Sequence, residues 1–262
     1  MSIADPHTYF AQEGFYIAPI VIPADLLARV RPRIDAVYAG EYETGIAPCG
    51  SPKGCSTPPT SLVKIDNAHR SDRTIHELVS HPALGRLAAA ITGAKMVQVF
   101  ATQMLIKPSG GQDSGSVGLH HDQEYWDSGL EGELFTAWVA VSDVTADSGP
   151  MRFVHGSNHW GLLKAGDFFS ANLDALKQRI QQKSGGNAWR ETATILPPGG
   201  VSFHHRLTVH GSGQNLAALP RVSFAIHLRT ENSRVREGVR WQDIGYLNDF
   251  NDMQGSPIIY RE

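Results

Sequence analysis

A chain of 262 residues with 41% hydrophobic side chains can bury a sizeable core, as one large domain or two small ones. Its formal net charge of -3, with the histidines neutral, excludes a chain-wide basic surface for nucleic acid. Two cysteines, Cys49 and Cys55, exclude a disulfide framework and are too few for a zinc knuckle, so they read as reduced thiols.

The opening MSIADPHTYFAQEGF has no basic start followed by an apolar stretch, and no apolar run reaches the roughly 18–20 residues a membrane helix needs. A cytoplasmic protein with no membrane and no nucleic-acid partner is expected. Residues 24–39 carry Leu26, Leu27, Val30, Ile34 and Val37 at helical spacing, with Pro32 expected to kink or split the helix. Residues 40–62 are rich in Gly and Pro and read as a long loop; its stretch YETGIAPCGSPKG is a candidate lid. A helical region over 73–92 is interrupted at Pro82 and ends at Thr92-Gly93.

From there the pattern changes. Residues 95–108, 134–144, 151–155, 201–205 and 221–229 are rich in β-branched and aromatic residues and read as strands, with one helix expected over 167–183. Helices first and strands afterwards suit a mainly β fold with flanking helices, a jelly roll, in a single domain. Residues 1–93 would form the helical flank and loop, 94–230 the core, and 231–262 a C-terminal extension.

The stretch GLHHDQEYW at 118–126 carries the chemistry. If 117–122 ends a strand, His120 and Asp122 share a face and His121 turns away, towards a second layer or the surface. One imidazole and one carboxylate are two thirds of the two-histidine, one-carboxylate set that holds non-heme Fe(II) and leaves positions open. His204, His205 and His210 lie in a later strand-like region and could supply the third ligand. Arg221 opens the strand RVSFAI, and a guanidinium suits bidentate capture of a carboxylate.

Taken in order, FAQEGFYIAPIVIPADLLARV, LIKP, HHDQEYW, FTAWVAVSDVTADSGPMRFVHGSNHWG and VHGSGQN with Arg221 resemble the phytanoyl-CoA dioxygenase family of Fe(II)/2-oxoglutarate-dependent oxygenases, over most of the chain. The resemblance implies a double-stranded β-helix, with His120, Asp122 and His210 as ligands to Fe(II). It implies Arg221 as the clamp for the far carboxylate of 2-oxoglutarate, Ser212 as a second contact and Lys107 within reach. Strand parity would add Gln103 and Trp138 to the pocket. O2 is the other co-substrate, and the substrate implied is a small molecule to be hydroxylated, with monomer and homo-oligomer both open. Asp122 stands where related halogenases carry a small residue, which argues against halogenation. One departure is GSNHW, which moves a family histidine to His159 and leaves its role open.

Other residues have plainer readings. Tyr125 and Trp126 could wall the substrate pocket or belong to the core. His204 and His205 could be structural or pocket-lining. Arg229 could anchor an anionic substrate or be a solvated arginine. Asp143 and Asp147 read as turn formers. A cupin-like hydrolase or isomerase that ignores 2-oxoglutarate is the main alternative, but it gives Arg221 no task. A non-enzymatic binding module predicts a damaged ligand set, and a nucleic-acid or protein hydroxylase predicts a basic groove or an extended surface.

Overall fold

A computed structural model describes residues 5–49, 59–111, 115–239 and 247–262. Helix α1 (Pro6–Glu13) starts at Asp5, whose carboxylate accepts the Thr8 N–H, and ends at left-handed Gly14. Helix α2 (Ala24–Tyr38) buries Leu26, Leu27, Val30, Ile34 and Val37. Contrary to the expected split, it runs unbroken through Pro32. Pro32 and Ala28, whose carbonyl loses its intrahelical donor, both lie on the exposed face, where water can take the lost bond's place. Helices α3 (Arg73–Val79) and α4 (Pro82–Thr92) follow; Asp72 caps the first, and left-handed Gly93 closes the second where the sequence indicated a stop.

The strands are β1 (Phe15–Ala18), β2 (Val63–Asp66), β3 (Met96–Lys107), β4 (Val117–His120), β5 (Leu130–Ala140), β6 (Met151–Val154), β7 (Glu191–Ala193), β8 (Val201–His205), β9 (His210–Ser212), β10 (Arg221–Val235) and β11 (Ile258–Arg261). Among the described residues they form two sheets. The major one has seven strands in the order β1-β8-β5-β10-β3-β11, with β2 also on β3; the minor one is β4-β9-β6-β7. Every pairing among these strands is antiparallel. The architecture is a jelly roll.

Parity divides the major sheet. Met104, Ile106, Phe135, Ala137, Val139, Phe203, Phe224 and Ile226 share the main core cluster with Leu27, Val30, Ile34 and Leu78 of the helices. Each large side chain so buried contributes about 1.5–3 kcal/mol, so this face anchors the sheet. The alternate residues Gln103, Thr136, Trp138, His204, Ala225 and His227 belong to the other face and line a cavity with residues of the minor sheet.

Two boundaries differ from expectation. Residues 167–172 are not helical; α6 (Leu173–Lys183) begins where the Asn172 side chain accepts the Ala175 N–H. The segment 231–262, expected as a C-terminal extension, contains the end of β10 and all of β11, which pairs with β3 at the edge of the major sheet. No helix among the described residues is long and apolar enough to cross a membrane.

Candidate metal centre

His120 ends β4 and His210 begins β9, and the two are direct partners across that pair. Their ring centroids are 4.2 Å apart. His120 Nδ1 lies 2.7 Å from the Gly118 carbonyl and His210 Nδ1 lies 2.9 Å from the Thr208 carbonyl. A carbonyl only accepts, so each Nδ1 carries the proton and each Nε2 presents a lone pair. Both Nε2 atoms stand 3.6 Å from Asp122 Oδ1. The three ligand atoms all lie within 4.8 Å of one another, and the three residues are buried. Three buried lone pairs facing one another repel, and a cation at their centre relieves this. The donor set fits Fe(II).

Asp122 arrives by a different route from the expected strand parity. The strand stops at His120, and Asp122 has helical angles (φ -56, ψ -37) as the cap of the short helix α5 (Gln123–Trp126). The turn, not the pleat, swings the carboxylate back to the histidines. Burial opposes its charge, yet the contact donated by His204 helps to hold its carboxyl well below the usual range. Its outer oxygen Oδ2 accepts from Thr136 Oγ1 at 2.6 Å and from His204 Nε2 at 3.0 Å.

Two cavities share His120 and Asp122 as a wall, and His210 lines the inner one. The inner one is lined by Val117, Trp138, Met151, Ser212, Arg221 and Ala225 as well as by Gln103, His120, Asp122, Phe168, His210 and His227. Arg221 is 2% exposed and donates through Nη1 to the Gly149 carbonyl. Its Nε has no hydrogen-bond partner among the described residues, nor has Trp138 Nε1, and no carboxylate there pairs with it. The guanidinium lies over the Trp138 ring, 5.0 Å from its centroid. Burial lowers its pKa to about 9, which leaves it charged at neutral pH. A buried charge without a counter-ion costs several kcal/mol, so this end of the cavity is built for an anion.

The outer cavity adds Lys64, Tyr125, Trp126 and Phe169 to the shared Gln103, His120, Asp122, Phe168 and His227. Phe168 packs edge-on to His120 at 5.3 Å. Its position depends on Gly118 and Gly166: a Cβ on Gly118 would sit 1.9 Å from the Asp167 carbonyl oxygen, and one on Gly166 would sit 2.5 Å from His120 Cα. The connection around 165–168 can therefore lie directly on β4, where Gly118 N–H donates to the Phe168 carbonyl and Asp167 N–H to the Leu119 carbonyl. Tyr125 Oη accepts the Phe168 N–H at 2.9 Å.

The structure thus brings together His120, Asp122, His210, Arg221, Ser212, Gln103, Trp138, Tyr125 and Trp126. Two expected site residues lie elsewhere. Lys107 is fully buried, and its amino group donates to the carbonyls of Gly115 at 2.5 Å and Gly213 at 2.6 Å, so it ties the strand end to the β9 exit and lines neither cavity. Burial and then the Arg221 charge push its pKa down to about 6. Arg229 lines neither cavity either; it donates to Gln98 at 2.6 Å and to Ser233, with its guanidinium 3.9 Å from the Phe250 ring centroid.

His121 does turn aside, but into the interior, with both ring nitrogens lacking partners among the described residues. Burial, then His120, lowers its pKa to about 4. His205 is half-buried, with Nδ1 accepting the Leu207 N–H. His159 is exposed in a 3-10 turn and lines neither cavity. Of the lid candidate, residues 50–54 lie outside the described residues, as does Cys55. Its earlier part is fastened to the β2–α3 connection by Thr44 to Ser71 and Arg70 and by the Cys49–Asp66 bridge. There Thr44 and Ile46 border a separate cavity of about 950 Å³ with His69, Arg70 and His76. Thr136 and His227 were not foreseen. The signal was available: they stand at the same parity as Trp138 and Arg221 on their strands.

Comparison with known proteins bears on the family and the fold. Residues 10–223 match the model of the phytanoyl-CoA dioxygenase (PhyH) family. The human peroxisomal phytanoyl-CoA dioxygenase is 20% identical over 225 residues, covering 84% of this chain and 66% of the human protein. The bovine protein is 21% identical over 177 residues, 67% of this chain and 52% of its own length. The chain thus spans less than two thirds of these relatives. Among solved structures, the epimerase SnoN in complex with Fe3+, alpha ketoglutarate and nogalamycin RO superposes with a TM-score of 0.68 at 24% identity, covering 89% of this chain and 86% of SnoN. The alpha ketoglutarate dependent carbocyclase SnoK from nogalamycin biosynthesis also gives 0.68, at 20% identity over 95% and 91% of the two chains. With the family match covering most of its length, the chain belongs to the phytanoyl-CoA dioxygenase family.

Proposed function

We propose that the chain is an Fe(II)- and 2-oxoglutarate-dependent oxygenase that hydroxylates a small molecule, with succinate and CO2 as by-products. The observation that carries this reading is the pairing of two unmet needs in one cavity. At one wall three buried lone pairs converge. In the same cavity the buried Arg221 guanidinium forms no ion pair with a carboxylate among the described residues. A short keto-diacid chelated at the first and held at the second answers both. A cupin-like hydrolase or isomerase would need the triad but not Arg221.

His120, Asp122 and His210 would hold the iron, and Arg221 with Ser212 would receive the far carboxylate. Iron bound there, with 2-oxoglutarate and O2, supplies a strong oxidant for an unactivated C–H bond. The remaining work belongs to the chain. Trp138 backs the guanidinium with its ring, and Gln103 reaches both cavities. Phe168 covers His120 and restricts water. The outer cavity, walled by Tyr125, Trp126, Phe168 and Phe169, suits a small substrate with an apolar part. SnoN and SnoK are named as an epimerase and a carbocyclase, so the outcome of oxidation varies on this fold. Hydroxylation is the outcome proposed for this chain.

The test is succinate formation from 2-oxoglutarate with Fe(II) and O2, alone and with a panel of small acids and amines. The wild-type protein should form succinate, and His210→Ala should not. Near-normal turnover by His210→Ala would sink the ligand assignment.

A further inference from the structure

His204, Thr136 and His227 lie on three neighbouring strands and are in register: Thr136 is the Cα partner of His204 on β8 and of His227 on β10. They form one row across the major sheet, all buried, on the face that looks toward the triad. The hydrogen bonds of this row admit one arrangement of protons. The Asp122 carboxylate only accepts, so Thr136 Oγ1 donates its proton to Oδ2 at 2.6 Å. That hydroxyl has no second proton, so at 2.9 Å from His227 Nδ1 it must accept, and His227 carries its proton on Nδ1. His204 donates from Nε2 to the same oxygen at 3.0 Å, and its Nδ1 has no partner among the described residues. His227 Nε2 has none either and is left as a bare acceptor.

Both donors fall on Oδ2, while Oδ1 faces the two ligand histidines. We propose that His204, Thr136 and His227 are positioning residues that fix the Asp122 carboxylate so that it meets a cation through Oδ1 alone. This rests on the metal reading above and adds to it. A carboxylate free to turn could chelate through both oxygens and take a coordination position that the co-substrates need. The row removes that freedom by saturating the outer oxygen from the opposite sheet. It also joins the two sheets at the metal, because Asp122 follows the minor-sheet strand β4 and Thr136 belongs to the major sheet.

The test uses Co(II) alone as the probe, on the full chain. Co(II) affinity and its visible d–d spectrum are measured for wild type, Thr136→Val and Thr136→Ser. Thr136→Val keeps the shape and removes the donor; it should bind Co(II) about tenfold or more weakly, with a changed d–d spectrum. Thr136→Ser should restore both. In parallel, 15N NMR of the histidine rings in the wild-type protein should show His227 protonated on Nδ1 and His204 on Nε2, a readout that does not depend on any variant folding. Wild-type affinity and spectrum in a folded Thr136→Val protein would overturn the proposal, as would a proton on His227 Nε2. If wild type itself takes up no Co(II), the metal reading falls and this one with it. If wild type binds Co(II) and Thr136→Val binds it identically, only this one falls.

Discussion

His120 and His210 are cross-strand partners whose Nδ1 protons are both committed to backbone carbonyls, so their Nε2 lone pairs are fixed toward Asp122 Oδ1 before any ion arrives. The site is preorganised by main chain, and it is under electrostatic stress until a cation enters. Binding should therefore stabilise the fold by mass action. At a Co(II) concentration about 100-fold above Kd, the gain is about 2.7 kcal/mol, visible as a raised Tm. His120→Ala and His210→Ala should each lose that rise. A Co(II)-dependent Tm shift persisting in His210→Ala would place the ion elsewhere.

Arg221 is expected to set the 2-oxoglutarate requirement rather than the metal affinity. Losing a charge-assisted contact of about 1.5–3 kcal/mol corresponds to at least a tenfold rise in the concentration needed. Arg221→Ala should show this in a co-substrate titration, with Co(II) binding nearly unchanged. An unaltered requirement would assign the carboxylate to another residue.

Gly118 is a steric prediction. Alanine there would place Cβ 1.9 Å from the Asp167 carbonyl oxygen, which is backbone and cannot rotate away. Gly118→Ala should destabilise by about 1–3 kcal/mol in urea unfolding, the usual cost of overpacking. It should also displace Phe168 from His120 and so weaken whatever the outer cavity binds. Wild-type stability would mean that the 165–168 connection shifts freely.

His69 predicts a pH dependence away from the metal. It is 1% exposed, with Nδ1 2.8 Å from Thr102 Oγ1 and Nε2 2.9 Å from the Gly255 carbonyl. One nitrogen accepts and the other donates, so the neutral ring is satisfied, and burial lowers its pKa from 6.5 to about 4. The unfolded chain takes up this proton first as pH falls. Stability should therefore decline from about pH 6.5 to about pH 4, by up to roughly 3 kcal/mol from this group. Ring NMR should show His69 neutral through that window; titration near 6.5 would contradict the burial argument.

Much of this was legible in the sequence because it depends on local pattern. The apolar spacing of Leu27, Val30 and Ile34, the Gly93 stop and the β-branched runs around 96–107 and 221–229 are local signals, and the structure follows them. What the sequence hid depends on partners distant in the chain. Strand parity was the wrong reason for Asp122, since a helical turn starts there. Lys107 and Arg229 are plausible anion contacts by pattern, but in the structure their N–H groups donate to Gly115, Gly213, Gln98 and Ser233. Thr136 and His227 become notable only once β5 and β10 are placed in register. No single-strand pattern contains that register.

The most direct test of the central claim is an anaerobic titration of metal-free protein with Fe(II) and 2-oxoglutarate, followed by visible absorbance. A metal-to-ligand charge-transfer band that needs both components, and needs a higher 2-oxoglutarate concentration in Arg221→Ala, is the predicted result. Iron uptake without such a band at any 2-oxoglutarate concentration would contradict the account and shift the site to metal chemistry that does not use a keto acid.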